Sequence, residues 1–180
     1  MFYRRKIILA LLQLFEGELE KIRLQKLLFL FTQRQQKAEY DFIPYKFGCY
    51  SYSANADLTT MASKGMLTET DSHFKSNEKT DYLKAIKETD KKQLQEIKML
   101  YGKMNANVLM KHTYINFPYW ATKSIKAESI LTANEFEKMN KSKPKSSKTI
   151  LFTIGYEGIS LEEYLNRLLK FNKNFFLKYE

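Results

Sequence analysis

The sequence has one cysteine, Cys49, with three prolines, six glycines and one tryptophan. A lone thiol excludes an intramolecular disulfide framework, so stability must come from an apolar core and the cytoplasm is the expected compartment. So little Pro and Gly argues against a loop-dominated all-β protein. Cys49, His73 and His112 are the only soft metal ligands, and none stands in the paired spacing of a zinc site. No metal or cofactor is expected, and no spacing marks a Cys–His nucleophile. Long apolar runs are also missing. The longest, Ile7 to Leu12 and Leu27 to Phe31, fall far short of the roughly 20 residues of a membrane span. The opening Met1-Phe2-Tyr3-Arg4-Arg5-Lys6 has a superficial leader look. It has no small-residue cleavage site, and Gln13 and Glu16 interrupt the apolar run behind it, so an amphipathic first helix is expected there.

Apolar material is nevertheless ample. Hydrophobic residues make up 44% of 180, with 13 Phe and 12 Tyr. That is enough for a core and excludes a disordered chain, since disorder goes with few aromatics. The net charge is +10, and all of it lies in residues 1–148, which carry 26 basic and 16 acidic residues. Residues 149–180 carry four of each. A basic surface fits phosphate backbones or an acidic protein partner, or solubility alone.

Periodicity organises the chain. Ile7, Ile8, Leu11, Leu12 and Phe15 share one face of a helix over 3–16, and Gly17 stops it. A second helix, about 20–35, is apolar nearly all round through Leu24, Leu27, Leu28, Leu30 and Phe31, and a helix of that kind is buried. The aromatic stretch 40–50 reads as an extended connector with one short strand. A third helix spans about 53–64, capped by Ser51 or Ser53 and released by Gly65. Residues 66–76 fit a short hairpin. Further helices are expected from a Thr89 cap to Tyr101, from Asn105 to Phe117, and after the capping box Thr132–Glu135. Tyr114, Phe117 and Trp120 should pack back onto the first helices. Residues 138–148 hold five Lys and no acid and read as a linker. Residues 149–154 then read as a strand, Gly155-Tyr156-Glu157-Gly158 as a tight turn, and Ser160 onward as a helix, the opening of an α/β unit. The fold class expected is mainly α with a small β-hairpin: a winged-helix-like domain over 1–137, the linker, and an α/β remnant over 149–180.

In a winged helix the third helix can enter a major groove while the hairpin lies along the backbone. The side chains that would then face nucleic acid are Lys46, Tyr50, Tyr52, Ser53, Asn55, Thr59, Lys64, Lys75 and Lys79. Asn55 and Thr59, one turn apart, suit base edges, and the lysines suit phosphates. Arginine, the commonest base reader, is missing from this helix, and Asp57 within it would repel phosphate if it pointed outward.

Two resemblances add to this reading. Thr153-Ile154-Gly155-Tyr156-Glu157-Gly158, with Ser160-Leu161-Glu162-Glu163-Tyr164-Leu165 after it, resembles the opening of the bacterial domain of unknown function 488. Members similar to this chain carry a helical N-terminal extension, and their next strand ends in Asp-Val-Arg. Here that motif is absent before Glu180, and the resemblance therefore implies a truncated domain without its activity. Leu24-Gln25-Lys26-Leu27-Leu28-Phe29-Leu30, then Pro44-Tyr45-Lys46-Phe47-Gly48-Cys49-Tyr50 and Lys64-Gly65-Met66-Leu67, is similar to the antitoxin SocA-like (Panacea) domain. Gly48-Cys49 stands where Gly-Pro is usual. This resemblance covers about residues 5–67 and implies toxin neutralisation or adaptor work through protein contacts. The function expected first is a non-catalytic, DNA-binding regulatory module, with DNA or an acidic protein as partner. The alternatives are an antitoxin-like or adaptor module, and the helical accessory domain of an enzyme.

Overall fold

A computed structural model describes residues 1–143, 155 and 157–171. The described chain is mainly helical, with two small antiparallel sheets. Helix α1, Tyr3–Leu14, is buried from Ile7 to Leu12. It ends where Glu16 and Gly17 turn left-handed at φ 63° and 84°, a conformation that costs glycine little. Gly17 N–H donates back to the Leu12 carbonyl at 2.9 Å, and the Gly17 carbonyl accepts from Ser76 N–H at 2.7 Å. The stop of the first helix is thereby tied to the end of the hairpin 59 residues later.

Strand β1, Glu18–Glu20, leads into α2, Lys21–Thr32, which is buried from Leu24 to its end. Leu27, Leu28 and Phe31 are fully buried, as the all-round apolar pattern requires. Strands β2, Ile43–Tyr45, and β3, Gly48–Tyr50, then form a tight hairpin with Pro44 opposite Cys49. The connector thus holds two strands rather than one. Its turn is Lys46-Phe47, and Gly48 takes φ 88°. A Cβ on Gly48 would lie 2.5 Å from Tyr114 Cε1, so the site admits no side chain.

Helix α3, Tyr52–Ser63, starts at the Ser51 hydroxyl, which accepts from Ala54 N–H at 3.2 Å. Gly65 at φ 73° releases the helix. Strands β4, Leu67–Glu69, and β5, His73–Ser76, are the expected hairpin. Strand β1 adds to the free side of β5 through Leu19 opposite Phe74, giving the order β1-β5-β4. That order around α1, α2 and α3 is the winged-helix arrangement.

The remaining helices close the core. Helix α4, Glu88–Tyr101, does not take Thr89 as its cap. It starts from Lys87, with no side-chain cap bond, and Lys87 N–H donates instead to the Tyr3 hydroxyl at 2.9 Å. Helix α5, Ala106–Asn116, is capped by Asn105. Short helices α6, Pro118–Ala121, and α7, Ala127–Ile130, precede α8, Ala133–Lys141, which carries the expected capping box. Residues 138–141, the expected start of the linker, are the last turn of α8, and Met139 there is buried. The rest of the linker from 144, and the strand expected at 149–154, lie outside the described residues. Helix α9, Leu161–Phe171, comes after the Ser160 hydroxyl, which accepts from Glu163 N–H at 3.0 Å.

One large core joins α1 and α2 to Leu58, Met61, Phe74, Leu94 and Ile97, and a smaller one gathers Met110, Tyr114, Ala121, Leu131 and Met139. The Phe29 ring meets Phe117 edge-on at 5.0 Å and Trp120 at 5.2 Å. The aromatic run at 114–120 therefore does fold back: Phe117 and Trp120 reach α2, while Tyr114 packs under Gly48.

Candidate binding cleft

One turn of α2 holds the β2–β3 hairpin in place. The buried Gln25 accepts from Ser51 N–H at 3.1 Å, and its own amide donates to the Ser51 carbonyl at 3.3 Å. The next residue, Lys26, donates from Nζ to the Cys49 carbonyl at 2.8 Å. Side chains from a helix thus satisfy backbone groups at the end of β3, which buried backbone requires. The hairpin is thereby fixed away from the winged-helix sheet, and a space opens between them.

That space is a cleft of about 460 Å³. Its walls are the start of α2 with Ile22, the hairpin with Tyr45, Phe47 and Tyr50, α3 with Asn55 and Leu58, and Phe74 of the wing. The Tyr45, Tyr50 and Tyr52 rings meet one another tilted or edge-on, with centroids 5.0 to 5.8 Å apart. Phe47 at the hairpin tip is exposed. Glu20, Lys21, Asp71 and Ser72 supply polar lining. A concave, aromatic wall with a few polar groups is the usual build of a binding site.

Two buried charges flank this cleft in opposite ways. Asp57, on the inner face of α3, is 2% exposed. It accepts from Arg4 Nε, from Arg5 Nε at 2.7 Å and from the Tyr40 hydroxyl at 3.0 Å. Burial pushes this carboxyl up, but the bonds from Arg4, Arg5 and Tyr40 outweigh burial and hold it below the ordinary aspartate value. Asp57 therefore points inward and does not repel an anion outside. Lys26 is as deeply buried, yet among the described residues it has no carboxylate within 4.0 Å. Burial lowers its pKa from the ordinary lysine value. Burial also raises the Cys49 thiol, which leaves it a packed small residue, poorly suited to nucleophilic work.

The side chains expected to face nucleic acid divide into three groups. Lys46, Thr59, Lys64, Lys75 and Lys79 are exposed. Tyr50 and Asn55 are half-buried and come together on the cleft wall, while Tyr52 joins this group of rings. Ser53 is occupied: one Glu162 carboxylate oxygen accepts from Ser53 N–H at 2.7 Å, Ser53 Oγ at 2.9 Å and Ser51 Oγ at 3.1 Å. Helix α9 thereby puts a buried carboxylate on the N-terminus of α3, the end where a helix favours an anion. The wing carries Glu69 and Asp71 near its tip, and Glu69 is paired with Lys21 at 2.6 Å.

Gln25, Lys26 and Glu162 were not among the expected site residues. A cation set among Leu24, Leu27 and Leu28 in the buried stretch of α2 was the available signal for Lys26. Nothing local marks Glu162, whose partners lie more than 100 residues away. No group of three or more His, Cys, Asp or Glu with metal-binding geometry occurs among the described residues, and no described helix is long and apolar enough to cross a membrane. No family model matches the chain, and no curated protein matches it.

Proposed function

We propose that the chain is a non-catalytic protein-interaction module, antitoxin-like or adaptor in type, that docks a segment of a partner in the cleft between α2, the β2–β3 hairpin, α3 and the wing. The observation that carries this reading is the aromatic wall of Tyr45, Phe47 and Tyr50 facing Ile22, Leu58 and Phe74 across about 460 Å³. Aromatic side chains in concave, desolvated settings dominate protein recognition energies. The resemblance of residues 5–67 to the SocA-like domain points the same way.

A second reading, a DNA-binding regulatory module, is favoured by the β1-β5-β4 order and by the exposed Lys46, Lys64, Lys75 and Lys79. Weighing against it are the Glu162 carboxylate on the start of α3 and the acids of the wing. A phosphate approaching α3 end-on would meet a carboxylate already in place.

The test is a selection of short peptides from a random display library on the full chain, with binding of the selected peptides then measured on Phe47→Ala and Tyr50→Ala variants. The expected result is saturable binding that weakens about tenfold or more in each variant and changes little between low and moderate salt. Binding to random duplex DNA in the micromolar range, falling steeply with salt and with Lys64→Ala or Lys75→Ala, combined with peptides indifferent to Phe47 and Tyr50, would transfer the function to DNA.

A further inference from the structure

Lys26 occupies a position that stability alone does not explain. Its side chain is 2% exposed and lines the cleft. Its Nζ donates to the Cys49 carbonyl and also meets the Cys49 thiol, and among the described residues no carboxylate neutralises it. Glu20 and Asp71 line the same cleft, yet neither comes within 4.0 Å of Lys26 Nζ. A buried ammonium without a counter-charge is costly even when hydrogen-bonded, and perturbed titratable groups that line a cleft cluster at functional sites. The surroundings are built around it. Gly48 has no side chain, and a Cβ there would lie 3.3 Å from Lys26 Nζ and closer still to Tyr114. The missing side chain at Gly48 leaves room for the Lys26 Nζ beside the hairpin.

We propose that Lys26 is the charge receptor of the cleft, and that the docked segment presents an acidic side chain to it beside an aromatic or large apolar anchor held by Tyr45, Tyr50 and Phe74. This rests on the docking reading and deepens it. Charge complementarity selects the occupant: a carboxylate reaching the floor would supply the counter-charge that the chain itself withholds, in a setting where a charge-assisted bond is strong. A neutral segment of the same shape would leave the ammonium uncompensated. Glu20 and Asp71, on the same cleft wall, repel a doubly charged phosphate ester more strongly than a singly charged carboxylate.

The experiment uses the full chain with ¹³C-labelled lysine ε-carbons, the Lys26 signal being assigned by its loss in Lys26→Met. The probes are acetyl-Phe-Glu-amide, its neutral isostere acetyl-Phe-Gln-amide, and acetyl-phenylalanine with a free terminal carboxylate. Expected are saturable shifts of Lys26 with the Glu peptide, a rise of the Lys26 titration midpoint on binding, and binding of the Gln peptide weaker by about tenfold or more. In Lys26→Met the two dipeptides should bind alike. Equal effects of both dipeptides on the Tyr45, Tyr50 and Phe74 resonances of the native chain would leave docking intact and overturn the role of Lys26. Tighter binding of acetyl-phenylalanine would overturn the side-chain assignment in favour of a terminal carboxylate. No effect of any probe on those resonances would remove the docking reading and this inference together.

Discussion

Replacing Asp57 by Ala tests how α3 is anchored behind the cleft. The native carboxylate is 2% exposed and accepts three bonds, from Arg4, Arg5 and Tyr40. Arg4 is 39% exposed and Arg5 15%. The Arg4 contact is screened by water and worth about 0.5 kcal/mol. The Arg5 bond is better shielded, and a hydrogen bond to a charged group contributes roughly 1.5–3 kcal/mol. The Tyr40 hydroxyl, buried with its ring, would lose its acceptor at a cost of about 1–3 kcal/mol. Together these give about 3–6.5 kcal/mol, which spans the roughly 3–5 kcal/mol range for breaking a buried ion pair by removing one partner. The loss carries a pH signature. Because the folded pKa lies below the ordinary value of 3.8, the carboxylate contributes its full stability above that value. The contribution fades as pH falls from there through the folded pKa. Urea titrations monitored by circular dichroism at pH 7 and at stepped pH below 4 should show the gap between native and variant narrowing on acidification. A variant within about 1 kcal/mol of native at pH 7, or a gap that does not change with pH, would refute the reasoning.

Leu28→Ala should cost about 2–5 kcal/mol in the same urea titration, because Leu28 lies in the large core with no exposure and the site cannot collapse onto solvent. Gly48→Ala should destabilise by more than about 1 kcal/mol, and should disturb the Tyr114 and Lys26 resonances first, since its Cβ would lie 2.5 Å from Tyr114 Cε1. Lys26→Met removes the burial cost of the ammonium but orphans the buried Cys49 carbonyl, so the two effects oppose and the melting temperature should change little. A large drop would mean that the bond to the Cys49 carbonyl outweighs the cost of burying the ammonium. Glu162→Gln should speed amide exchange through α9 and at Ser53, whose N–H and hydroxyl both donate to that carboxylate. Unchanged exchange would mean that α9 is held by Asn166 and its bond to the Phe42 carbonyl.

The winged-helix frame was legible because its parts have strong periods. Helices α1 to α3 show apolar residues at three- and four-residue spacing, with glycines at Gly17 and Gly65 where the backbone turns left-handed. The hairpin at 67–76 alternates around a polar turn. Strand β1 was not legible: Glu18-Leu19-Glu20 offers one apolar side chain, and only its pairing with β5 makes it a strand. Thr89 looked like a cap, but the helix starts before it, at Glu88, from Lys87, whose N–H donates to the Tyr3 hydroxyl 84 residues away. The site was legible as a face and not as a volume. Tyr50 and Asn55 were singled out for a groove-reading helix, and they stand together on the cleft wall. The space beside them depends on Gln25 pinning Ser51 and Lys26 pinning Cys49, contacts across more than 20 residues that no local pattern encodes. Lys26 was hidden by the strength of its own helix, since an all-round apolar pattern says that the stretch from Leu24 onward is buried and leaves the cation inside that stretch unaccounted for.

Docking in the cleft is tested most directly by amide hydrogen exchange of the full chain with and without a display-selected peptide at saturation. Protection is expected at the start of α2, across the hairpin at 43–50 and along β5, three of the four walls that line the cleft. Protection confined to other surfaces, with these three walls exchanging as in the free chain, would contradict the assignment of the cleft as the binding site.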